Sequence, residues 1–218
     1  MPLGDPKPDS PYSYVRTEIR VLKSIRSGLA DASKVDSLVV IPASDPQRLH
    51  KLVERNEIMN AVADDYNCAI ELLKPYQNST NDNVRTSVTG FNEGIGATKQ
   101  VDARLLEMME SFDKATTADD FDQPAIAKQL ADLNGIKADA RKLIIMAVKA
   151  SSFGILKGVG GDDEWKPVAF TITEQQRAKL LAEAKELAKR QAGTETYVDV
   201  CADFLVDTLT KNLPTIPE

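Results

Sequence analysis

The chain has one histidine and two cysteines among its 218 residues, and aromatic side chains make up only 6% of it. Each shortage excludes a class of chemistry. A di-iron bundle needs two Glu-x-x-His units, and Gln47 stands three residues before His50, so not even one unit exists. A His-Glu-x-x-His zinc site fails on the same count. Cys68 and Cys201 lie too far apart for a Cys-x-x-Cys-His haem attachment or a zinc knuckle. No metal and no other cofactor is expected, and His50 reads as a structural or surface histidine. The few aromatics are not interleaved with basic residues, which removes a base-stacking platform. The net charge of −6 disfavours nonspecific contact with nucleic acid or anionic lipid. No run approaches the roughly 18–20 apolar residues of a membrane span. The central run Leu143 to Val148 is far shorter.

What is present is a globular composition, 42% apolar and 28% charged, with enough material for a core. Residues 1–11 hold four prolines and read as a flexible tether, residues 12–212 as a single helical domain, and 213–218 as a tail. The start lacks the basic and apolar regions of a signal peptide. A cytoplasmic location is favoured, with an exported mature form whose signal was removed as the alternative. Two buried free thiols are the expectation for Cys68 and Cys201, against one long-range disulfide in an exported chain. The sequon Asn78-Ser79-Thr80 does not fix a compartment.

Apolar residues recur at three-and-four spacing through most of the chain, the signature of amphipathic helices. Val15, Ile19, Leu22, Ile25 and Leu29 mark a helix over about 12–29. Asp45 and Pro46 open a second, running to about Tyr76, with a stripe from Leu49 through Met59, Val62, Tyr66 and Leu73 that Arg55 and Asn56 interrupt. Val84 to Phe112 is the most regular stripe. Gly90, Gly94 and Gly96 fall inside it, each unfavourable by up to about 1 kcal/mol relative to alanine, which points to a close crossing, a kink or a break. A fourth helix is expected over 124–156, most buried around Leu143 to Val148, with a plausible kink at Asn134-Gly135. Thr173 and Gln176 form a capping box opening a fifth helix to Gln191. A sixth runs to about Asn212. The β-branched segments 37–41 and 168–172 are read as extended linkers or a two-stranded ribbon. The fold class is therefore all-α, an antiparallel up-down bundle of about four long and two shorter helices, with a minimal β ribbon as an option.

Catalytic constellations are hard to find. Ser151-Ser152-Phe153-Gly154 lacks the leading glycine of a nucleophile elbow, because Ala150 stands there. Ser111 and Lys114 match Ser-x-x-Lys without its companion motifs. The glycine loop Gly158 to Trp165 carries three adjacent carboxylates that repel phosphate and lacks alternating calcium-ligand spacing. It reads as a connector anchored by Trp165. No catalytic residue is assigned.

The leading expectation is a non-enzymatic bundle acting through protein contacts, as a homo-oligomer or with a protein partner. Arg16, Arg20, Lys23 and Arg26 on the first helix are the candidate contact stripe; a solvated face beside acidic helices is the plainer alternative. The second expectation is a small-molecule-binding, sensor-like bundle, with the glycines of the third helix opening a pocket walled by Tyr66, Phe91 and Trp165. An enzyme working through carboxylates alone comes third. No nucleic-acid partner and no membrane span are expected.

Overall fold

The computed structural model describes residues 10–114, 123–157, 163–167, 172–190 and 196–211, with the backbone alone at 123, 152–157 and 163–167. Helix α1 (Pro11–Lys34) starts where extended Ser10 accepts the Ser13 N–H at 3.2 Å, with Pro11 in the first turn, where its missing N–H removes no helical bond. A 3₁₀ turn, Val35–Leu38, extends it. Asp45 accepts the Gln47 N–H at 2.8 Å and gathers the chain into α2 (Arg48–Leu73), which ends in a 3₁₀ turn at Lys74–Tyr76 around Pro75. Then follow α3 (Asp82–Lys114), α4 (Gln123–Ser152), strands β1 (Phe153–Lys157) and β2 (Asp163–Pro167), α5 (Glu174–Leu187) and α6 (Tyr197–Thr210). The capping box at Thr173 and Gln176 is present.

Side-chain pairs fix the direction of neighbouring helices. Thr17 meets Tyr76 and Gly28 meets the Tyr66 ring, so α1 and α2 run antiparallel. Asn67 with Lys99 and Arg55 with Asp113 do the same for α2 and α3. Gly90 with Ala147, Gly94 with Ile144 and Asp102 with Lys137 order α3 against α4. One apolar core joins Ile19, Leu22 and Ile25 of α1 to Leu73, Phe91, Ile95, Ile144, Leu180 and Leu205. Burying each such side chain contributes about 1.5–3 kcal/mol.

The three glycines of α3 do not break it. Two of them set a close crossing. A Cβ on Gly94 would sit 2.7 Å from Ile144 Cγ1 and 2.9 Å from the Ala140 carbonyl, and one on Gly90 would sit 3.1 Å from Ala147 Cβ. Gly96 faces open space. Gly135 leaves α4 continuous.

Four expectations need correction. The ribbon does not use 37–41, because Val35–Leu38 continues the α1 spiral and buries Val35 and Leu38 under the bundle end. Its supposed partner residues 168–171 lie outside the described residues. A hairpin forms instead from β1 and β2, antiparallel, with Ile155 opposite Trp165 and Lys157 opposite Asp163. Consequently α4 stops at Ser152, short of 156: Gly154 is a poor helix residue, and the Phe153–Lys157 segment joins the hairpin. The stretch Leu143 to Val148, apolar on nearly every side, is not the most buried part of the bundle: Met146 is 44% exposed, whereas Ile19, Val21, Leu22 and Ile25 of α1 are fully buried. Cys68 is an exposed free thiol rather than a buried one, because it lies on the solvent side of α2 next to buried Ala69; Cys201 is buried and free.

Long side chains close several helix ends. Arg26 reaches the Leu187 carbonyl at the end of α5, Arg48 reaches the Asp113 carbonyl at the end of α3 (2.6 Å), and Arg177 reaches the Leu209 carbonyl at the end of α6 (3.0 Å). Each puts a cation and a donor where helix carbonyls lack partners.

Candidate functional site

The predicted contact stripe on α1 divides in two. Arg16, Arg20 and Lys23 face solvent, and Arg16 makes an exposed ion pair with Glu183 of α5 at 3.2 Å. Arg26 turns inward and bonds Asp199 of α6 at 2.6 Å, so it joins three helices. The acidic neighbours of this stripe are therefore on α5 and α6.

The predicted ligand walls lie in the core. Phe91 is fully buried, and Tyr66 packs beneath Gly28 with its hydroxyl lacking a partner among the described residues. Burial, with the nearby Asp102 carboxylate, pushes that phenol well above its ordinary value. The Trp165 side chain lies outside the described residues, and only its backbone place in β2 is fixed.

Two open concavities lie between α3 and α4. One, of about 600 Å³, is lined by Gly90, Leu143, Met146 and Ala147 and by charged Asp82, Arg85 and Glu93. The other, about 410 Å³, sits nearer the far end, between Arg104, Glu107, Met108 and Ser111 of α3 and Gln129, Asp132 and Leu133 of α4. The first includes the Gly90 crossing, where the helices approach so closely that a Cβ would sit 3.1 Å from Ala147 Cβ.

Sequence reasoning missed two buried polar centres. Glu18 of α1 is 0% exposed. Ser87 of α3 donates to its Oε1 at 3.2 Å, Ser151 of α4 lies 2.6 Å from the same oxygen, and Tyr14 donates to Ser87 at 2.8 Å. Burial pushes the Glu18 carboxyl up to about 8, against the lowering effect of the Ser151 and Ser87 hydrogen bonds. The second centre is Arg55, 1% exposed, whose Nη2 lies 2.5 Å from Asp113 Oδ2. Both were readable in part: Glu18 adjoins Ile19 and follows Val15 by three, and Arg55 falls at stripe spacing between Leu52 and Met59.

Chemically, these centres bind helices to one another. Among the described residues, no group of three His, Cys, Asp or Glu side chains is placed to hold a metal ion, and no helix is long and apolar enough to cross a membrane. Compared with known proteins, the chain matches no family model, and no curated protein or solved structure aligns with it significantly.

Proposed function

We propose that this protein is a non-enzymatic helical bundle that acts through protein–protein contacts, using the face formed by α3 and α4. The observation that carries the reading is the groove of about 600 Å³ at the Gly90 crossing. Its lining combines apolar Leu143, Ala147 and the exposed Met146 with charged Asp82, Arg85 and Glu93. Apolar side chains combined with charged ones are the common make-up of protein interfaces. An unbranched methionine adapts its shape to an incoming surface. The groove opens along the helices, which suits a polypeptide segment or a second copy of the chain better than an enclosed small molecule.

A photo-crosslinking side chain at position 146 tests this in the organism that makes the protein. The reading expects a discrete protein adduct from position 146 and none from a control at exposed Glu186. Equal labelling at both positions, with a strict monomer in sedimentation at every concentration, overturns it.

A second reading is favoured by the cavity of about 410 Å³ between the α3 and α4 ends, a volume within the usual range for small-ligand sites. It keeps the sensor-like function but moves its site from Tyr66 and Phe91 to Met108 and Leu133. Native mass spectrometry of gently purified protein supports it if a small molecule is retained and is lost on Met108→Trp. Identical apo masses for both proteins count against it.

A further inference from the structure

The Ser151 hydroxyl stands between two oxygen atoms. It lies 2.6 Å from Glu18 Oε1 and 2.9 Å from the Val148 carbonyl of its own helix. A hydroxyl has one proton to give. A backbone carbonyl only accepts, and so does an ionised carboxylate. With Glu18 ionised, one of these two contacts has no proton in it. With Glu18 protonated, both contacts have a proton: the carboxyl O–H donates to Ser151 Oγ, and Ser151 donates to Val148 O. On the other side the direction is the same, because Tyr14 donates to Ser87 and Ser87 donates to Glu18 Oε1. The donors run one way from α1 through α3 and back through α1 into the last turn of α4. The remaining oxygen, Oε2, is buried with no donor among the described residues, which suits a neutral acid's carbonyl and not a buried negative charge.

We propose that Glu18 is a proton-operated latch: the protonated carboxyl ties α1, α3 and the last turn of α4 together, and its ionisation loosens that turn where the chain passes into the β hairpin. The groups around the carboxyl offer little to stabilise its charge. From α1 there is the Tyr14 phenol, itself raised by burial and by Glu18, with Tyr76 stacked edge-on at 5.0 Å. From α3 there is neutral Ser87, while Asp82 and Arg85 pair with each other at the surface. From α6 there is the Cys201 thiol, pushed up to about 12 by burial and then by Glu18. From α4 there is Lys149, whose ammonium lies over the Phe204 ring. From α5, Glu183 is engaged by Arg16 at the surface.

The sign of the pH effect follows from the raised carboxyl. In the unfolded chain Glu18 ionises near 4.5, and in the folded protein near 8, so the folded state holds a proton that the unfolded state has released. Its contribution is complete below about pH 4.5, falls between about 4.5 and 8, and is flat above. The loss across that window is on the order of a thousandfold in the folding constant.

Urea unfolding of the full chain from pH 4 to 9, at fixed ionic strength, compares the native protein with Glu18→Gln, whose amide supplies a permanent donor to Ser151. The expected result is a stability ratio between variant and native protein that rises on the order of a thousandfold over the window, together with faster amide exchange in the native α4 end (residues 147–152) above pH 8. Parallel pH profiles for the two proteins overturn the proposal. A measurement on the native protein alone guards against a variant that does not fold: carboxyl carbon shifts followed by NMR. One glutamate carboxyl still protonated at pH 7 supports the latch, and complete ionisation of all glutamates by pH 6 overturns it.

Discussion

The Arg26 guanidinium and the Asp199 carboxylate meet at 2.6 Å, with Asp199 almost fully buried at the first turn of α6. The same guanidinium reaches the last carbonyl of α5. One side chain of α1 thus holds the start of one helix and the end of another. Arg26→Ala leaves a buried carboxylate without its cation, and a loss of about 3–5 kcal/mol is expected in urea unfolding. Arg16→Ala, which removes only the exposed pair with Glu183, is expected to change stability by less than about 1 kcal/mol. Equal effects from the two substitutions would contradict the division of the stripe.

The glycines of α3 give a pair of opposite signs. Alanine at Gly96 meets nothing and gains helix propensity, so Gly96→Ala is expected to stabilise by about 0.5–1 kcal/mol. Alanine at Gly94 pushes into Ile144 and the Ala140 carbonyl, so Gly94→Ala is expected to destabilise by about 1–3 kcal/mol despite the same propensity gain. Thermal unfolding of the two variants checks both.

Tyr66→Phe removes a buried hydroxyl that has no partner among the described residues while keeping the ring under Gly28. Stability equal to or up to about 1–2 kcal/mol above the native value is expected, because an unpaired buried polar group is unfavourable. A clear loss in chemical denaturation would show that the hydroxyl has a partner.

The two cysteines are expected to differ in reactivity. Cys68 is exposed, whereas Cys201 is buried with its thiol pushed up to about 12 by loss of water. At pH 8 a thiol-alkylating reagent is expected to label Cys68 in the folded protein, and Cys201 only after denaturation, as read by peptide mass mapping.

The helices were legible because their signal is local. Three-and-four spacing places Val88, Phe91 and Ile95 on one face, and the capping pair at Thr173 and Gln176 sits within one turn. The buried ionisable groups were not, for two physical reasons. Glu18 shares a helix with Arg16, Arg20 and Lys23, so along the chain it resembles their counter-charge; only the α3 and α4 serines opposite it show that it points inward. Arg55 looks like a fault in an apolar stripe because its compensating carboxylate, Asp113, comes from another helix. The end of α4 was misplaced because an apolar run ending in Phe153, Gly154 and Ile155 suits helix or strand, and the antiparallel partner from 163–167 decides it. The groove at Gly90 was not legible, because its Leu143, Met146 and Ala147 come from another helix and Phe91, next to Gly90 in the chain, faces the core.

The arginine closures at the ends of α3, α5 and α6 have a consequence for how the bundle comes apart. A helix normally frays from its last turn, one carbonyl at a time, independently of its neighbours. Here Arg48, Arg26 and Arg177 hold those turns from other helices, so unwinding the end of α5 also pulls at α1 and, through Asp199, at α6. Fraying at the ends of α5 and α6 becomes a tertiary event, and their last amides are expected to exchange together rather than one by one.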